Sequence, residues 1–212
     1  GHWEAPRFTV NAGAAPELLY DYYGFPEHTY RLQYPAPGEP ALAARVRELV
    51  EAAGLPADSE TARGFDHGVF VPFLLVDPQA TIPVVQLSLQ QGLDPQRHIE
   101  LGRALAGLRD EGVLIVGSGM SYHNMRGFGP AFADASRRFD DWLTTAVTDP
   151  DAERRDAALA RWEQAPEART CHPREEHLLP LMVVAGAAGD EQGIKVFEDR
   201  IPNATVSAFR FG

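Results

Sequence analysis

Apolar positions along the chain divide into helical and strand-like runs. In ALAARVRELVEAAG, Leu42, Val46, Leu49, Val50 and Ala53 fall on one helical face and Gly54 supplies a stop. The runs VFVPFLLV (69–76), IPVVQLSL (82–89) and VLIVG (113–117) are apolar with little alternation, which predicts strands covered on both faces. Pro72 and Pro83 then belong at strand ends or on an edge. Asp94 and Pro95 read as an N-cap and first helical residue. Their helix runs to about Asp110, with His98, Leu101, Leu105 and Leu108 at helical spacing and Gly112 closing it. Further helices are predicted over 131–147 and 151–163, the second opened by Asp149 and Pro150. Another starts near Pro173 and carries HLLPLMVVAGAAG, where Pro180 must kink or divide it. IKVFE (194–198) and ATVSAFRF (204–211) predict closing strands, the second with period-two alternation. Residues 12–40, rich in Pro, Gly and Tyr, read as an ordered surface loop packed by its aromatics and able to wall a pocket. Strands and helices alternate, so the expected class is α/β. We expect a single domain over 1–212, with a central largely parallel or mixed sheet flanked by helices.

Composition narrows the partners. Nineteen basic against thirty acidic residues give a net charge of −11, with no basic run to neutralise a phosphate backbone, so nucleic acid is not expected as a partner. No stretch approaches the roughly 20 apolar residues needed to span a bilayer, and nothing resembles a secretory signal. Cys171 is the one cysteine and forms no intrachain disulfide; a cytoplasmic location follows as the expectation. The chain opens on GHWEAPRFTV, without an initiator Met, and reads there like the middle of a folded unit; we expect an N-terminally incomplete domain.

Candidate chemistry rests on histidines. His98 has charged neighbours on its predicted helix and reads as solvated, and His28 sits in the aromatic loop as a structural or rim residue. His67 lies in DHG before a predicted strand, where Asp66 could fix its tautomer. His123 ends the glycine turn of VLIVGSGMSYHN, and a strand-end loop is where open α/β sheets keep their chemistry; capping and function are both open for it. In CHPREEHLLPL, His172 reads as a helix cap, and Glu175 and Glu176 suit the positive end of a first turn. His172 and His177 are five apart, not four, so no HExxH zinc helix is present. There is no GxSxG, P-loop or CxxC, and GSG (117–119) is a weak phosphate cradle.

The blocks HWE (2–4), YDYYGFP (20–26), RGFDHGVFVPF (63–73), IPVVQLSL (82–89), GVLIVGSGMSYHN (112–124) and HPREEHLLPLMVVAGAAG (172–189) occur in order. Together they resemble the DOPA-dioxygenase branch of the class III extradiol ring-cleaving dioxygenases, relatives of the catalytic subunit of protocatechuate 4,5-dioxygenase. The resemblance runs nearly end to end. It implies opening of a small catechol ring with O₂ at a non-haem Fe(II) site. His2 and His177 are the implied metal ligands, His177 standing where the wider class has a carboxylate. The remaining ligand belongs to an HG block upstream of HW, which these residues do not contain. His123 is the implied acid/base, His67 a substrate-binding histidine, and His172 a pocket-wall, substrate-binding or capping residue.

Physical chemistry suits these types. A catechol hydroxyl must lose a proton on binding and a proton must return before the ring opens; an imidazole with an ordinary pKa near 6.5 serves both steps. A neutral His177 in place of a carboxylate weakens Fe(II) retention and lets Zn(II) compete as an occupant. Tyr22, Tyr23, Phe25 and Phe128 are candidates to shape the pocket. Two other classes stay open: a metal- or small-molecule-binding protein of the same fold that oxidises nothing, and a zinc hydrolase. A homo-oligomer is the remaining expectation, since an uncovered sheet edge invites association.

Overall fold

The computed structural model describes residues 3–212, so His2 lies outside the described residues. Contacts divide the chain into two compact units, residues 1–91 and 92–212. The fold is α/β with mixed strand pairing: among the described residues the strands form three two-stranded sheets, two parallel and one antiparallel.

In the first unit, β1 (Glu4–Ala5) and β2 (Phe8–Asn11) precede α1 (Pro40–Ala52), β3 (Ala57–Glu60), α2 (His67–Val76) and β4 (Leu89–Gln90). β2 and β3 pair in parallel, Phe8 opposite Ala57, and β1 pairs in parallel with β4. Helix α1 joins β2 to β3. Its buried face is Ala43, Val46 and Val50; Glu39 accepts the Ala41 N–H at its start, and Gly54 follows its end at φ +75°. Phe8, Val10, Phe65 and Phe70 are fully buried.

Two predicted strands are corrected here. Residues 69–76 are the body of α2, because Pro72 cannot donate to a ladder and an unbroken apolar run fits a helix as well as a strand. Of 82–89 only Leu89 enters a named strand. Upstream of it the chain is tied by Val84 N–H to Pro37 O and by an isolated antiparallel bridge of Leu87 to Val10, Ser88 N–H to Thr9 O and Asn11 N–H to Gln86 O.

The second unit holds α3 (Pro95–Leu105), α4 (Ala133–Val147), α5 (Ala152–Ala160), the short α6 (Ala168–Cys171), α7 (Leu179–Ala187) and the antiparallel hairpin β5 (Ile194–Ile201) and β6 (Ala204–Arg210). Asp94 caps α3 as predicted, accepting from Gln96 and Arg97. The cap of α5 is Asp151, not Asp149. His98 is fully buried with Nδ1 against Asp94 O, which corrects the solvated reading: the apolar face of α3 includes it. Helices α3 and α7 meet through glycines. A Cβ on Gly102 would stand 2.0 Å from Val183 O, and one on Gly186 2.1 Å from Ile99 O. Pro180 does not kink α7. It sits in the first turn, where its missing N–H costs nothing, and the helix begins there instead of at Pro173.

The predicted buried strand 113–117 is also corrected. It joins no ladder among the described residues, and Leu114 and Val116 are 83% and 54% exposed.

Candidate active site

The loop 113–129 is fastened to the segment leading into α7. A Cβ on Gly119 would lie 2.2 Å from His177 O and one on Gly117 2.7 Å from Pro180 O, so the glycines of the GSG turn serve close packing. Met120 N–H donates to His177 O at 2.9 Å, His123 N–H to Cys171 O at 3.1 Å, and Asn124 Nδ2 to Thr170 O at 2.8 Å. Buried Tyr122 donates to Gly127 O and packs edge-on to Phe128. On the other side, Arg169 holds Glu175 at 2.7 Å, and Glu175 O accepts from Leu178 and Leu179 to start the helix.

This fastening stacks His123 on His177, ring centroids 3.5 Å apart and planes 17° from parallel. Glu176 lies against both. Its Oε1 is 3.0 Å from His177 Nδ1 and 3.6 Å from His123 Nδ1. Its other oxygen is buried without a hydrogen bond among the described residues, with Arg174 Nη1 at 3.6 Å. One ligand atom from each of the three residues lies within 4.8 Å of the others. Two imidazoles and a carboxylate with an unbonded oxygen suit a divalent transition-metal ion better than calcium or magnesium. Burial pushes the His123 imidazole below its ordinary pKa, against the opposing pull of Glu176, which favours the neutral, proton-accepting form.

The sequence reading had Glu176 only as a charge at a helix start; adjacency to a candidate ligand was the signal for it. His177 and His123 come together as the resemblance implies. A groove of about 330 Å³ runs beside His177, lined largely by apolar residues including Val116, Met120, Pro180 and Phe209.

His172 is fully buried between Phe139 and Trp162, its Nε2–H donating to Ser121 O at 3.0 Å, so it braces the loop from beneath. Burial pushes its pKa down to about 4, against an ordinary 6.5. The sign follows: the unfolded chain binds the proton first, so this contribution is complete above about pH 6.5 and is lost as pH falls toward 4. Unfolding free energy should therefore drop by about 2 kcal/mol between about pH 7.5 and pH 5 through this residue, and urea titrations of His172→Gln should show a shallower fall. Equal falls in both proteins would exclude that role. Neighbouring Cys171 is a buried thiol that burial pushes up to about 12, so it serves no chemistry as a thiolate.

In the first unit, His67 opens α2 and is bonded to Asp21, not to Asp66 as expected. Asp66 is engaged by Arg63 at 2.9 Å and Gln86 at 2.7 Å. Tyr22 packs edge-on to the His67 ring, while Tyr23 and Phe25 are exposed and His28 sits at the surface.

Residues 1–211 match the family described as the catalytic LigB subunit of aromatic ring-opening dioxygenase. The chain belongs to that family. Its place is in the DOPA-dioxygenase-like branch. It is 42% identical to a 4,5-DOPA dioxygenase extradiol of Beta vulgaris over 89% of this chain and 71% of that protein. It is 38% identical to the dioxygenase tasH of Hapsidospora irregularis over 100% of this chain and 69% of that one. The crystal structure of an uncharacterised Escherichia coli K12 protein superposes with a TM-score of 0.83 at 30% identity, covering 100% of this LigB-family chain and 83% of its own. No helix among the described residues is long and apolar enough to cross a membrane.

Proposed function

We propose that this chain is an extradiol dioxygenase that opens the ring of a small catechol with O₂ at a non-haem Fe(II) site. The observation that carries the reading is the stacked His123–His177 pair bridged by Glu176, in a chain of the ring-opening family. His177 would hold the metal together with His2, and Glu176, by accepting from His177 Nδ1, turns Nε2 of that ring toward a ligand role. When bound, the metal would supply Lewis-acid and redox chemistry toward the catechol and O₂.

The protein's own residues handle protons and orientation. His123, neutral and held by its backbone bond to Cys171 O, takes the proton of one catechol hydroxyl on Nε2 or Nδ1 and later returns it. His67 receives the hydrogen bond of a substrate hydroxyl. His172 keeps the loop of His123 in place from below. Zn(II) would fill the same donors without redox chemistry. Catechol and O₂ are the proposed partners, with no nucleic acid or membrane, and self-association is part of the proposal.

The test is oxygen uptake. Protein loaded anaerobically with Fe(II) and mixed with a catechol in air should consume one O₂ per ring and form a yellow product. His177→Ala should lose bound metal and uptake together. Tight metal binding with no uptake would point instead to a binding protein, and hydrolysis that persists under argon to a zinc hydrolase.

A further inference from the structure

We propose that Asp21 is a positioning residue that sets the tautomer of His67 so that Nε2 presents a lone pair to the substrate. The inference rests on the proposed role of His67 in receiving a catechol hydroxyl, and adds a residue to that site.

Asp21 Oδ1 accepts twice from His67, from the backbone N–H at 3.1 Å and from Nδ1 at 2.6 Å. An ionised carboxylate offers no hydrogen, so the 2.6 Å contact requires the ring proton on Nδ1. In the neutral ring Nε2 is then the basic nitrogen. Burial pushes the Asp21 carboxyl up, and the bonds from His67 outweigh it, leaving Asp21 below its ordinary pKa and ionised at neutral pH.

The pairing is built by the backbone on both sides. Residues 17–19 run alongside Phe65, with Phe65 N–H donating to Glu17 O and Leu19 N–H to Phe65 O, each at 2.8 Å. The close approach needs Gly64, whose Cβ would lie 2.6 Å from Glu17 O. That ladder ends two residues before both Asp21 and His67, which fixes their separation. Tyr20 and Tyr22 flank Asp21 and are themselves tied, Tyr20 OH to Leu32 O and Tyr22 OH to Thr29 O at 2.6 Å. Tyr22 also packs edge-on to the imidazole, 5.7 Å between centroids. Neither side chain is a loose surface group: Asp21 is 21% and His67 30% exposed.

No bond to His67 is made or broken in this role. A catechol hydroxyl donates to the Nε2 lone pair and keeps its proton, and the proton lost from the catechol goes to His123. Asp21 holds the ring proton of His67 on Nδ1 so that Nε2 remains an acceptor.

The experiment compares Asp21→Asn, Asp21→Glu, His67→Gln and the Asp21→Asn/His67→Gln double variant in the Fe(II)-loaded protein, alongside ¹⁵N-histidine NMR on metal-free protein. An amide can donate to Nδ1 and select the other tautomer. Asp21→Asn should lower kcat by about 100-fold with KM little changed, and Asp21→Glu should recover much of it. Added to His67→Gln, Asp21→Asn should cost nothing further. The NMR spectrum should show His67 protonated on Nδ1 in the parent and on Nε2 in Asp21→Asn. An unchanged tautomer, or the same loss in the His67→Gln background, would overturn the proposal. A tautomer switch in a protein that opens no catechol would leave the positioning intact and reject the ring-opening reading instead.

Discussion

Arg155→Met should lower the free energy of unfolding by about 3–5 kcal/mol, the largest stability loss we expect from one surface-neutral change of volume. Arg155 is 1% exposed, and its guanidinium donates to Ala185 O in the last turn of α7, to Gly189 O and Glu191 O just past its end, and to Asp156. Phe211 covers it at 5.4 Å. Carbonyls at and just past a helix end run short of N–H partners, and here one cation serves three of them, Ala185 O sharing with the Ala188 N–H at 3.3 Å. Methionine fills similar space but strands these acceptors at about 1–3 kcal/mol each, less what entering water recovers. Asp156 keeps Arg103 at 2.7 Å, so the loss comes mainly from the carbonyls. Thermal melting should fall by about 10 °C or more. A shift within a degree or two would mean that the end of α7 opens to water at little cost. Because His177 immediately precedes α7, metal binding should weaken in the same variant.

His123→Ala should reduce turnover by about 10²–10⁴-fold while bound metal stays near the parent level. The imidazole is replaced at a position whose backbone is held by Cys171 O, so the loop should survive the change. Metal content decides the role, because His123 stands in the same donor group as Glu176 and His177. Metal lost along with activity would make His123 a ligand and shift the acid/base task elsewhere. Metal retained with activity lost is the result expected of a proton-transfer residue.

Helices were legible where caps and periodicity agreed. Asp94 with Pro95 placed the start of α3, and Gly54 after an amphipathic face the end of α1, within a residue or two. Helix α3 itself stops at Leu105, short of the expected end near Asp110, where a 3₁₀ turn over Ala106–Arg109 takes over. Apolar runs without period were not legible, because α2 and a buried strand ask for the same residues. Pro72 was the one local sign against the strand, and it was read as an edge marker. His98 was misjudged for a related reason: charged sequence neighbours lie around a helix, while burial depends on the single face it shares with Leu101 and Leu105.

The site was legible in its residue types and not in its connections. His123 and His177 were singled out from ordered blocks of sequence, yet their stacking depends on Gly119 approaching His177 O, a contact across 58 residues that no spacing rule encodes. Asp66 was the nearest carboxylate to His67 in sequence, and Asp21, 46 positions away, is its partner in space. By itself the chain determined the class and the ends of helices marked by a clear cap, since capping, periodicity and residue chemistry act over a few neighbours. Only the tertiary structure decided which carboxylate meets which imidazole, because long-range backbone pairing and glycine-permitted close contacts bring distant segments within hydrogen-bond reach.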